Sequence, residues 1–158
     1  MPKTLLVDPD KCTSCRLCEL VCSGRNADAF QPARAHVRVT IHVDEAFYFP
    51  RVCLQCDDAP CIDACPCEAL VRDPRTNAVV ILHDKCNDCR ACEAACPYGA
   101  IRCWDDRAWK CALCDGEPEC VRFCAPQALR FEPADSWPAA ARQAYSDRLR
   151  ELVQEARP

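Results

Sequence analysis

The stretch from Lys85 to Ala100, KCNDCRACEAACPYGA, places Cys86, Cys89, Cys92 and Cys96 with two, two and three residues between them, and Pro97 directly after. This is the spacing at which three thiolates hold one [4Fe–4S] cube and the fourth cysteine reaches the other cube of a pair. The reason is local. Cysteines two residues apart wrap a loop around one cluster, and the fourth sits a helical turn further on. Pro97 then ends that short helix and sends the chain into an extended segment. Three more runs lie to either side. Cys12, Cys15, Cys18 and Cys22 repeat the spacing without a following proline. Cys53, Cys56, Cys61 and Cys65 are spaced two, four and three, with Pro66 after. Cys111, Cys114, Cys120 and Cys124 are spaced two, five and three, with Ala125 ahead of Pro126.

Eighteen cysteines in 158 residues would suit a disulfide scaffold in a secreted chain. Their grouping in four tight clusters suits metal instead. MPKTLLVDPDKC shows no signal-peptide pattern, and no stretch has the length to cross a bilayer. The expectation is a reduced, cytoplasmic, metal-rich protein. Only three glycines occur, Gly24, Gly99 and Gly116, too dispersed for a dinucleotide or P-loop site. Four oxidised cubes with their thiolates would carry the formal charge from −4 to about −12, so nucleic acid is not an expected partner. Lys11, Arg16, Lys85, Arg90, Lys110 and Arg122 stand beside the motifs, either offsetting cluster charge or as ordinary solvated charges. Cys67 and Cys103 are left over and read as small buried thiols. Cys67 is also near enough to a cube to tune it. His36, His42 and His83 read as structural.

The extended segments are expected at Thr4–Val7, Glu68–Arg72, Ala78–Leu82, Ala100–Arg102 and Ala128–Phe131. A hairpin is expected from His36–Val43, whose Val37, Val39, Ile41 and Val43 alternate as one half-buried face, and Ala46–Val52. Ser23 and Gly24 read as opening a long connection, and Asp105-Asp106 as a turn. Residues 138–156 read as a helix capped by Ser136 or Asp135. Its face of Ala141, Tyr145, Leu149, Leu152 and Val153 either packs on the chain itself or docks on a partner.

Thirty, twenty and fourteen residues separate successive motifs. Only the middle gap reads as a full strand, turn and strand like that linking the halves of a small two-cluster ferredoxin, which pairs the second motif with the third and leaves the first with the fourth. Gln127–Phe131 resembles Glu68–Arg72, and Thr4–Cys12 resembles Val79–Cys86, like two sides of one hairpin cut open. The expected fold class is α+β, two bacterial-ferredoxin-like modules with one inserted into the other. The outer module is 1–30 and 103–132, a β-hairpin insertion is 31–52, the inner module is 53–102, and a C-terminal helix occupies 133–158. Four [4Fe–4S] clusters follow: Cys12, Cys15, Cys18 and Cys124; Cys111, Cys114, Cys120 and Cys22; Cys53, Cys56, Cys61 and Cys96; Cys86, Cys89, Cys92 and Cys65.

With these motifs in their order, the chain resembles the four-cluster iron–sulfur subunits of molybdenum and tungsten oxidoreductases, the dimethyl-sulfoxide-reductase and formate-dehydrogenase group. ELVCSGRNADAFQPARAHVRV and VCLQCDDAPCIDACP are most similar to the small subunits of tungsten aldehyde oxidoreductases and related benzoyl-CoA reductases. The resemblance covers about residues 4 to 132. It implies a non-catalytic electron-transfer subunit of anaerobic metabolism. It would wire a tungsten- or molybdenum-pterin subunit to a flavin or NAD-reducing subunit or a soluble carrier. A hydrogenase, carbon monoxide dehydrogenase or formate dehydrogenase partner is the alternative. A zinc-binding interaction module is a more remote one. Head-to-tail self-association through the C-terminal helix face is a further expectation.

Overall fold

A computed structural model describes residues 3–155. Among them it is α+β, with eight short strands in four two-stranded antiparallel sheets and five α-helices. Contacts divide the chain into two compact units. One runs to Val52 and adds Leu113–Trp137; the other is Cys53–Ala112 with the chain from Pro138 onward. The boundary at Ala112/Leu113 falls inside the fourth motif.

In the first unit, β1 (Lys3–Val7) pairs antiparallel with β8 (Leu129–Pro133), Val7 opposite Leu129. This is the terminal pairing expected from the sequence similarity, and Leu5, Leu6 and Leu129 from it are buried in the core. Helix α1 (Leu17–Ala27) follows the first motif. It runs through Ser23 and Gly24, where a connection was expected to open. The Ser23 hydroxyl is satisfied inside the helix, donating to the Leu20 carbonyl (2.8 Å) and accepting from the Gln31 amide (3.0 Å), so it does not compete with the helix. The expected hairpin is β2 (Arg38–His42) with β3 (Phe47–Arg51). Its face is not uniformly half-buried: Val37 is buried, Val39 intermediate, and Ile41 and Val43 are exposed. The outer end of the ribbon runs beyond the core, so alternation persists there without burial. Helix α4 (Glu119–Arg122) completes this unit.

In the second unit, α2 (Pro60–Asp63) and α3 (Ala91–Ala95) carry the third cysteines of their motifs, Cys61 and Cys92, and end before the fourth, and β4 (Leu70–Arg72) pairs with β5 (Val79–Ile81). A further hairpin, β6 (Ile101–Trp104) with β7 (Arg107–Lys110), means the middle gap is not unique in holding strand, turn and strand. Asp105 and Asp106, both at positive φ, close it as a two-residue turn matched to strand twist. β7 escapes a hydrophobicity reading because its inward residues are Ala108 and a lysine, Lys110. Helix α5 (Ala139–Glu155) buries Tyr145, Ser146, Leu149, Leu152 and Val153. Ala141 is exposed, and the expected end at Ala156 lies outside the described residues. Ser136 does not cap the helix. Its hydroxyl donates back to the Pro133 carbonyl within the turn Ala134–Ser136, which also holds Asp135. The apolar face is covered by the chain itself, with the Tyr98 and Ser146 hydroxyls 3.0 Å apart and Arg150 donating to Tyr98. That removes the sequence hint for self-association through this face.

Candidate metal centres

All four motifs open with the same backbone device. The residue before the second cysteine is left-handed in each: Ser14, Gln55, Asp88 and Leu113, with φ of 56°, 51°, 54° and 57°. In the first, third and fourth motifs the residue after that cysteine, Arg16, Arg90 or Asp115, is left-handed too. Such positions cost non-glycine residues about 1–2 kcal/mol. They recur where a loop must curl so that successive N–H groups face a concavity, an arrangement that favours an anionic group.

The fourth cysteine of each motif accepts a backbone N–H at sulfur. Ala69 donates to Cys65 (3.3 Å), Ala100 to Cys96 (3.4 Å) and Leu129 to Cys124 (3.4 Å). In these three, a tight turn places a left-handed residue three positions on: Glu68, Gly99 and Gln127. The displaced Pro126 keeps that turn and moves the donor one residue further along. After Cys22 there is no proline and α1 continues, so the donor comes from the returning chain: His36 N–H reaches Cys22 Sγ at 3.2 Å, with Asn26 Nδ2 at 3.5 Å.

The thiols are gathered across motifs. One cavity of the first unit is lined by Cys12, Cys15, Cys18 and Cys124, with Phe123 and Pro126 at its wall. Burial, then the Glu19 carboxylate, pushes the Cys18 thiol up to about 12, and Cys12 and Cys124 add to it. One cavity of the second unit is lined by Cys53, Cys56, Cys61 and Cys96. There burial raises Cys56 to about 11, and Cys53 and Cys96 reinforce it. Cys92 is raised to about 11 by burial, with Cys65 and Cys86 adding; Cys89 of the same set is exposed. In the remaining set, Cys22 is buried with Cys114 close by and Cys120 is buried. Cys111 belongs to the second unit.

Thiols that raise one another in this way stay protonated until a cation takes the proton's place, which is how thiolate ligands couple to metal. Among the described residues, no three His, Cys, Asp or Glu side chains converge as the ligands of one ion do. A cube offers one iron to each of four cysteines, so its thiolates are spread rather than focused on a single zinc. The cavities and sulfur-directed N–H groups therefore fit iron–sulfur clusters.

The two leftover cysteines are not fully buried. Cys67 is half-exposed beside Cys65, Cys86 and Cys89. Cys103 is half-buried, its thiol raised to about 12 by desolvation and then by the Asp88 carboxylate. His83 packs on Trp109 at 4.6 Å between ring centres. A feature the spacing did not show is Lys110, buried beside the second cavity. No helix among the described residues is long and apolar enough to cross a membrane.

Residues 44–134 match the model of the 4Fe-4S dicluster domain and residues 5–23 that of the 4Fe-4S binding domain. The chain is 40% identical over 122 residues to the polyferredoxin-like subunit of an aliphatic sulfonate oxidoreductase from Pyrococcus furiosus, covering 76% of this chain and 70% of that one. It is 32% identical over 160 residues to the electron transport protein HydN of Escherichia coli, covering 82% and 87%. A solved structure, the active site complex BamBC of benzoyl coenzyme A reductase, aligns over 98% of this chain and 90% of that one, at 28% identity and a TM-score of 0.48. The chain belongs to the 4Fe–4S dicluster domain family, iron–sulfur proteins whose relatives here are named as electron-transport proteins and ferredoxin-like subunits.

Proposed function

We propose that the chain carries four [4Fe–4S] clusters as an electron wire within an oxidoreductase complex, and that substrate chemistry belongs to another subunit. The ligand sets are those expected from the sequence, with each fourth cysteine crossing to the partner motif and one ferredoxin-like module inserted into the other. The observation that supports this most is the crossing itself: Cys96 shares a cavity with Cys53, Cys56 and Cys61, and Cys124 with Cys12, Cys15 and Cys18. Each cube, when bound, takes up and passes on one electron. The residues supply the rest. Cysteine sulfurs hold the irons, and amides of His36, Ala69, Ala100 and Leu129 stabilise thiolate charge and raise the potential.

The partner proposed is a tungsten- or molybdenum-pterin oxidoreductase, of which an aldehyde oxidoreductase is the first choice, with a flavin subunit or soluble carrier at the other end. The Pyrococcus furiosus relative, named as a subunit of an aliphatic sulfonate oxidoreductase, supports the subunit role and favours sulfonates as a second substrate class. Iron, sulfide and zinc per chain, on protein prepared without oxygen, test the wire. About sixteen irons and sixteen sulfides are expected from the ligand count. About eight irons would leave one pair of sites unfilled and overturn the four-cluster reading; zinc in place of iron would overturn the redox reading. Identifying the copurifying subunit tests the partner.

A further inference from the structure

Lys110 is only 4% exposed. It ends β7 on the inward side and lines the cavity of Cys53, Cys56, Cys61 and Cys96. Its Nζ donates to the Val79 carbonyl, the Cys111 carbonyl (2.9 Å) and Gln55 Oε1 (3.3 Å). An ammonium has three N–H groups and no acceptor, so these three oxygens match its charged form. All three are neutral. Gln55 is itself buried and held in place on both sides of its amide. Its Oε1 also accepts the Val79 amide (2.8 Å), and its Nε2 donates to the Cys111 carbonyl (2.8 Å). A buried charge is ordinarily paired with a carboxylate. Here the charge is caged by dipoles and stays available to the cavity.

We propose that Lys110 is a fixed internal cation that raises the reduction potential of the cube held by Cys53, Cys56, Cys61 and Cys96, with Gln55 as the residue that positions it. The inference rests on the reading of that cavity as a cluster site. A cube with four thiolates gains one negative charge on reduction, and a cation in a low-dielectric wall stabilises the more negative state more strongly. Burial raises the Cys61 thiol of this cavity, and Lys110 opposes that rise. The reaction concerned is uptake of one electron, with no bond made or broken, and dithionite supplies it in the test. Lys110 thereby sets the driving force of the steps into and out of this cube.

The experiment is a potentiometric titration of the full chain followed by electron paramagnetic resonance. The relevant signal is the one that Cys61→Ser alters. Lys110→Met removes the cation. Gln55→Glu keeps the side chain's shape and the bond to Nζ, gives up the donation to the Cys111 carbonyl, and cancels the charge. Gln55→Met removes all the amide's hydrogen bonds without adding charge. Lys110→Met and Gln55→Glu are each expected to lower that midpoint by at least tenfold in the reduction equilibrium, about 59 mV for a one-electron couple, and Gln55→Met to shift it less. If Lys110→Met assembles no cluster, the two Gln55 variants decide. Equal shifts in Gln55→Met and Gln55→Glu, or none in Gln55→Glu, overturn the tuning role while leaving the cluster site intact. A Cys61→Ser protein with unchanged iron content and unchanged signals overturns the site reading, and the inference with it.

Discussion

Glu19 shows how one residue ties the first motif to its surroundings. Its side chain is 1% exposed, one oxygen accepting from Arg16 Nε at 2.6 Å and the other from the Val39 amide at 2.8 Å. A buried carboxylate is tolerated only when its lone pairs are used in this way. Removing it leaves the Val39 amide without an acceptor, and hydrogen bonds to charged groups are worth about 1.5–3 kcal/mol. Glu19→Ala is therefore expected to lower stability by about 2 kcal/mol, read as an earlier guanidinium midpoint of cluster absorbance. Glu19→Gln, which keeps an acceptor, should lose less than half as much. Arg16→Ala, which strips the buried carboxylate of its cation, should lower stability as well, moderated because the Arg16 side chain is about half exposed and water can take its place.

Among the elements, the turn after the fourth cysteine recurs in three of the four motifs. Glu68, Gly99 and Gln127 occupy the same left-handed position, and only one is glycine. Gln127 is exposed, so its side chain contributes little that would offset the cost of that conformation. Gln127→Gly is expected to hold stability or raise it by up to about 1 kcal/mol, the left-handed penalty less the entropy a glycine loses on folding. Gln127→Val, branched at Cβ, should lower it by more than about 1 kcal/mol. Because this turn aims the Leu129 amide at Cys124 Sγ, the valine variant should also shift the cluster's visible spectrum, whereas the glycine variant should not.

For the whole molecule, the long-range closure of β1 on β8 brings Cys124 back to the N-terminal motif across more than a hundred residues. Contacts of such separation form late, since loop closure must precede any gain from pairing. The chain order then makes a sharp expectation for ligation. Cys124→Ser should alter the same paramagnetic signal as Cys15→Ser. If it instead alters the signal that Cys114→Ser alters, each motif keeps its own fourth cysteine and the crossing arrangement is wrong.

Cysteine spacing made the metal chemistry legible without any structure, because a cluster loop is a local object: three ligands within seven to ten residues, and in three of the four motifs a proline just after the fourth cysteine. The β1–β8 pairing was legible as well, from two short stretches that resemble the strands of the middle gap. Of the β6–β7 hairpin, the extended segment at Ala100–Arg102 and the Asp105-Asp106 turn were legible, but β7 was not, since its inward residues are an alanine and a lysine that carry no hydrophobic signal. The continuation of α1 through Ser23 and Gly24 was also hidden, because what sustains it is a hydroxyl bonded within the helix and a chain that returns to give His36 N–H to Cys22. Lys110 looked like any charge beside a motif. Only the tertiary structure decided that it is buried, because two of the three oxygens around its ammonium, those of Gln55 and Val79, come from segments far from it in the chain, and no local pattern records them.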